Sequence, residues 1–334
     1  MNEISRIVVI GASAGGLQAI TDLVSKLPKH PSMAMFVVLH VSKQSMGSVI
    51  AHHLQKNASM TCHIPEDQEL IKPGHLYIAP PDHHMMIKGD KIRIHNGPHE
   101  NRWRPSIDVL FRSAAVSYSS QVIGIILTGL LDDGTSGMGA IKRSGGICIV
   151  QEPNEAEFSD MPTNVLNNVD VDYRVPIADM PYIIQDLYSK QPGPAVEVPR
   201  EIQIEADITE RMSVSMGDLK DIATHSKFNC PDCGGGLWKI KEDKVHRYRC
   251  HTGHVYTEQV LMQVQSEQLE ETLWVSIRML EERRNLLLTV SEHEKEAGQM
   301  HISADKKERS EQLETHIERL KNLLQTVSIN EPND

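Results

Sequence analysis

Two groups of side chains in this sequence are spaced for chemistry. The first begins with Ser13, the one hydroxyl in Gly11-Ala12-Ser13-Ala14-Gly15-Gly16, which follows the apolar run Val8-Val9-Ile10. A strand running into a small-residue turn suits either a phosphate cradle or an exposed nucleophile. The cradle fails on two counts. A dinucleotide fingerprint places glycine where Ser13 stands and an acidic residue at the end of the second strand, whereas Phe36-Val37-Val38-Leu39-His40 ends in histidine. A nucleophile wants small neighbours for a sharp turn and a base arriving from an adjacent strand end. His40 is that base. A third apolar run, Ile123–Leu127, leads into Thr128-Gly129-Leu130-Leu131-Asp132-Asp133-Gly134, so Asp132 or Asp133 can orient the imidazole.

The second group is Cys230-Pro231-Asp232-Cys233-Gly234-Gly235 with Cys250-His251-Thr252-Gly253-His254. Two thiolates two residues apart chelate one tetrahedral ion, and glycine permits the tight turn between them. The favoured ligands are Cys230, Cys233, Cys250 and His254, with His251 as the alternative fourth. Four protein ligands leave no open position, so the expected zinc is structural. No cofactor is expected for catalysis.

These residues need elements that bring them together. Ile7–Ile10, Met35–Leu39, His75–Ala79, Val122–Leu127 and Gly146–Gln151 read as strands alternating with helix-like segments. That order predicts an α/β fold, a doubly wound, mostly parallel, Rossmann-like sheet whose strand ends meet at one crevice. Prolines in Lys190–Pro199 break both periodicities and mark a boundary. The expected organisation is a catalytic domain over 1–190, a linker over 191–227, a small zinc-binding module over 228–257, and a helical hairpin or coiled coil over 258–328. In the last of these, Leu269, Leu273, Ile277 and Leu280, then Leu313, Ile317, Leu320, Leu324 and Val327, recur at helical spacing. Gly298 and the polar residues around Ser303 suit the break between the helices.

With 334 residues and a formal charge of −11, the chain has no basic patch interleaved with aromatics, which argues against nucleic-acid binding. It has neither a signal-peptide pattern at its start nor an apolar run of the roughly 20 residues a membrane span needs. The sequence therefore predicts a cytoplasmic protein without membrane insertion.

Arg6 to about Leu187 resembles the catalytic domain of the chemotaxis protein-glutamate methylesterase family, CheB. The resemblance rests on Gly11–Gly16, Tyr77-Ile78-Ala79-Pro80, Arg104-Pro105-Ser106-Ile107-Asp108-Val109-Leu110-Phe111, and Leu127-Thr128-Gly129 through Asp133-Gly134. It implies Ser13 as nucleophile, His40 as general base and Asp133 as orienting carboxylate. The implied reaction is hydrolysis of glutamyl γ-methyl esters on receptor helices, with glutamine deamidation as its companion. Ala14 stands where the family commonly has threonine, and Leu130 where methionine is typical. The family's usual preceding receiver domain is not expected, because the first catalytic strand begins at Arg6. Methylated receptor helices are the expected substrate, and the C-terminal helices are candidates for self-association or for a signalling partner. The alternative is a methylesterase-like scaffold in another signalling pathway, binding partners while its altered site does little chemistry.

Overall fold

The computed structural model describes residues 4–28, 32–241 and 243–329. The first part of the chain contains strands β1 (Arg6–Ala12), β2 (Met33–Leu39), β3 (Thr61–His63), β4 (His75–Ile78), β5 (His84–Lys88), β6 (Lys91–His95), β7 (Val122–Ile126), β8 (Ile147–Gln151) and β9 (Tyr173–Val175). Its helices are α1 (Gly16–Ser25), α2 (Gly47–Asn57), α3 (Ile107–Tyr118), α4 (Thr135–Arg143), α5 (Asp160–Asn168) and α6 (Met180–Ser189). Seven strands form a parallel sheet in the order β3-β4-β2-β1-β7-β8-β9, and β5 and β6 form a separate antiparallel hairpin. This is the expected doubly wound α/β fold.

Every residue of β1, β2 and β7 is buried. Successive side chains serve opposite faces: Ile7, Val9, Phe36 and Val38 join α3 in one core, while Val8, Ile10, Val37 and Ile125 join α1 and α6 in the other. A strand covered on both faces has no polar side to alternate with, which is why these segments read as continuous apolar runs. β1 lies between β2 and β7, so the strand order reverses there, and a crevice forms at the carboxyl ends of these three strands.

Within residues 191–227 the chain forms α7 (Arg200–Arg211) and α8 (Met216–Ile222). Then β10 (Ala223–Asn229), β11 (Gly236–Ile240), β12 (Arg247–Cys250) and β13 (Val255–Thr257) form an antiparallel sheet in sequence order. The described residues up to Val260 make one compact unit, and those from Leu261 make a second.

The second unit contains α9 (Glu258–Glu296) from Leu261 onward and α10 (Met300–Ile329). Gly298, at φ +79°, takes the left-handed turn that ends α9. Leu273, Ile277, Ile317 and Leu324 are buried, Leu269 is exposed, and the side chain of Val327 lies outside the described residues. Ser303 sits inside α10, where its carbonyl accepts a hydrogen bond from the Ser291 hydroxyl (2.8 Å). Lys321 pairs with Glu281 across the two helices (2.9 Å). Among the described residues, no helix is long and apolar enough to cross a membrane.

Candidate active site

Ser13 follows the last residue of β1 and precedes α1. Its amide donates to the Thr128 carbonyl (3.0 Å), and the Thr128 hydroxyl donates to the Ala14 carbonyl (3.0 Å), so the turn after β7 holds the turn after β1. Two glycines are required here. Gly15 has φ +71°, in the left-handed region, and a Cβ on Gly129 would lie 2.7 Å from Cβ of Ser13.

His40 follows β2 directly, and its amide donates to the Ala12 carbonyl (3.1 Å), extending the sheet register to the site. Its Nδ1 lies 3.3 Å from Oγ of Ser13, and its Nε2 lies 2.9 Å from Oδ2 of Asp133. An ionised carboxylate only accepts, so Nε2 carries the proton and Nδ1 is free to take one from Ser13. The indole of Trp103 stacks on the imidazole at 4.0 Å and 9°.

Asp133 is buried and encircled by donors. Its Oδ2 also accepts from the Ile107 amide (2.7 Å), and its Oδ1 from Nδ2 of Asn101 (3.0 Å) and the Ser106 hydroxyl (2.9 Å). Burial works against its charge, but the hydrogen bond and charge of His40, with those amides, outweigh it and hold Asp133 below the usual carboxylate range. Asp108 shows the opposite case, since burial and the neighbouring Asp133 charge push it well above that range. It accepts from the Gly134 and Gly137 amides at the start of α4 and from Asn101.

The two adjacent carboxylates are therefore not equivalent. Asp132 is buried without contact to His40; burial is the largest influence on it, the Asp133 charge adds to that effect, and it is pushed up to about 6 despite a hydrogen bond from Thr257. The chain thus brings together Ser13 and His40, which directly follow β1 and β2, and Asp133 from the turn between β7 and α4. Asn101, Trp103 and Ser106 join them from a loop that gives no periodic signal. Only the run Arg104–Phe111 flagged that region in the sequence.

At the other group, the ligand atoms of Cys230, Cys233, Cys250 and His254 lie within 4.8 Å of one another. Sγ of Cys233 and Cys250 are 3.7 Å apart, and Nδ1 of His254 is 3.6 Å from Sγ of both Cys230 and Cys250. A tetrahedral zinc with bonds of about 2.3 Å to sulfur separates its sulfurs by about 3.8 Å, so the donor set fits that ion. His251 is exposed and outside this group. Nε2 of His254 faces Asp232 at 3.7 Å, the position of a carboxylate that orients a ligating imidazole.

Residues 8–184 match the family model described as CheB methylesterase. A Leptospira interrogans protein named as a candidate protein-glutamate methylesterase/protein-glutamine glutaminase is 38% identical over 167 residues, covering 50% of this chain and 86% of the relative. The protein-glutamate methylesterase/protein-glutamine glutaminase of Escherichia coli K12 is 34% identical over 198 residues, covering 58% of this chain and 55% of that protein. The crystal structure of the Thermotoga maritima CheB methylesterase catalytic domain superimposes with a TM-score of 0.52 at 32% identity, covering 55% of this chain and 98% of that domain.

Proposed function

The chain belongs to the CheB methylesterase family, and from that premise we propose that it hydrolyses glutamyl γ-methyl esters on methylated receptor helices through Ser13, His40 and Asp133. Oγ of Ser13 attacks the ester carbonyl while Nδ1 of His40 takes its proton, and the imidazolium then returns that proton to the leaving methoxide as methanol departs. A water, deprotonated by His40, attacks the acyl-enzyme and frees Ser13 and a glutamate carboxylate. Asp133 keeps the proton of neutral His40 on Nε2 and stabilises the imidazolium. Backbone amides entering α1 lie beside Ser13, at the positive end of the helix, as donors to the oxyanion; each well-placed donor contributes about 3 kcal/mol. With glutamine in place of the ester, the same steps release ammonia. Receptor helices of this kind place the reaction in the cytoplasm.

The observation that carries this reading is the hydrogen-bonded chain from Ser13 through His40 to Asp133 at 3.3 and 2.9 Å. The fit of Cys230, Cys233, Cys250 and His254 to a tetrahedron supports a structural zinc there, which supplies folding energy and no open coordination site. The test is methanol release from a methylated receptor extract. The purified chain is expected to release it and Ser13→Ala to release none, with a melting temperature little changed because one oxygen on a half-buried turn carries little packing. Equal release by both proteins refutes the proposal.

A further inference from the structure

We propose that Asn101 is a positioning residue for Asp133, and that the cysteine module holds it in place through β13, so that ester hydrolysis depends on the metal site. This rests on the esterase reading above.

Asn101 is buried and left-handed, at φ +52°, a conformation asparagine tolerates better than most residues. Its amide donates to the Val255 carbonyl (2.8 Å), and its side-chain Oδ1 accepts from the Thr257 amide (3.2 Å). The second contact orients the carboxamide. With Oδ1 engaged by an N–H, the Nδ2 group faces the carboxylates of Asp133 and Asp108, each at 3.0 Å. The reversed amide would set two donors together on one side and oxygen against two carboxylates on the other.

Val255 directly follows His254. The Val255 amide donates to the His99 carbonyl (3.3 Å), and the His254 carbonyl accepts from the Cys250 amide (3.0 Å). Glu100 makes a second tie: its carboxylate accepts from Arg249 (3.0 Å), beside Cys250, and from Arg112 (2.5 Å) of α3. The same turn exchanges backbone hydrogen bonds between Glu100 and Trp103, whose ring backs His40. Residues 100–103 therefore touch both the carboxylate and the imidazole, and the strand that anchors them begins one residue after His254 of the candidate metal site.

Deleting the Asn101 side-chain amide leaves more of the Asp133 charge to His40, which stabilises the imidazolium and moves the acid limb of the pH profile upward. The other charged groups facing this site are Asp132 beside it and Asp108 on α3, the latter under the influence of Arg112 and of Arg247 on β12.

The test uses the full chain. Asn101→Gly keeps the left-handed backbone while removing the carboxamide. It is expected to lower kcat for a small ester tenfold or more, toward the ~10²-fold that a 1 Å misplacement can cost, with KM little changed and the acid limb at higher pH. Chelating the metal from the wild-type chain is expected to raise deuterium uptake over residues 99–103 and to lower kcat, both reversed by added zinc ion. The same treatment should cost Asn101→Gly far less, because the two lesions share one path. Wild-type kcat and an unmoved acid limb in folded Asn101→Gly overturn the proposal. So does chelation that leaves uptake and kcat unchanged, a result that decides the matter alone if the variant does not fold. Full activity in Ser13→Ala would instead sink the esterase reading.

Discussion

Asp133→Asn tests the assignment of the acidic pair most sharply. The carboxylate accepts from His40 and the Ile107 amide on one oxygen, and from Asn101 and Ser106 on the other. An amide in its place has two orientations. With its nitrogen toward His40 it confronts the Ile107 N–H and forces Nε2 to accept, which puts the imidazole proton on Nδ1, where it blocks proton transfer from Ser13. With its nitrogen toward Asn101 it confronts the Nδ2 group that Thr257 fixes, and though the tautomer survives, the charge opposing the imidazolium is gone. Either way kcat is expected to fall about 10³- to 10⁴-fold, or about 4–5.5 kcal/mol in the barrier. Asp132 has no contact with His40, so Asp132→Asn is expected to cost less than about threefold, within ~0.7 kcal/mol. The assay is steady-state turnover of a small ester by both variants, with thermal melts to confirm folding. A loss under tenfold in Asp133→Asn, or a larger loss in Asp132→Asn, refutes the reasoning.

Trp103→Ala removes the ring stacked on His40; with about 1 kcal/mol for such a contact, a roughly fivefold fall in kcat is expected, and unchanged kcat would show that the plane is set elsewhere. Asp132 gives a pH prediction for stability. Its folded pKa of about 6 lies above its ordinary value of 3.8, so its favourable contribution is complete below about pH 4 and is lost as pH rises through 6. Asp132→Asn should therefore raise the melting temperature at pH 7.5, by up to about 3 kcal/mol of stability, and change it little at pH 4. A gain equal at both pH values would contradict the cause given.

Legibility in the sequence followed burial. β1, β2 and β7 are covered on both faces, so their apolar runs are unbroken and their ends locate Ser13, His40 and the Asp132-Asp133 pair. β3 and β9 are three residues long and partly exposed, and neither carries such a run. The prolines of Lys190–Pro199 mask the helices α7 and α8 that follow, although α7 buries Ile202, Glu205, Ala206, Ile208 and Thr209 and α8 buries Leu219 and Ile222. Asn101 and Trp103 escaped for a different reason. What orders Asn101 is the backbone of Val255 and Thr257, more than 150 residues away, and a contact made by main-chain atoms leaves no trace in residue type. The Cys230, Cys233, Cys250 and His254 cluster was legible because a chelating pattern constrains spacing locally, while the gathering of His254 rather than His251 depends on the fold of β12 and β13.

The buried ionic cluster joining α3, α7 and β12 divides evenly. Glu100 meets Arg112, and Glu205 of α7 and Asp243 meet Arg247 and Arg249. Each group sums to zero, and the two are joined where Arg249 also reaches Glu100. Because the Glu100, Glu205, Arg112, Arg247 and Arg249 side chains are buried, dissolved salt screens these pairs little. Recognition falls to the planar forks of three guanidiniums, each needing a carboxylate at a set angle. Turning one of these arginines to lysine would keep the charge and lose that fit.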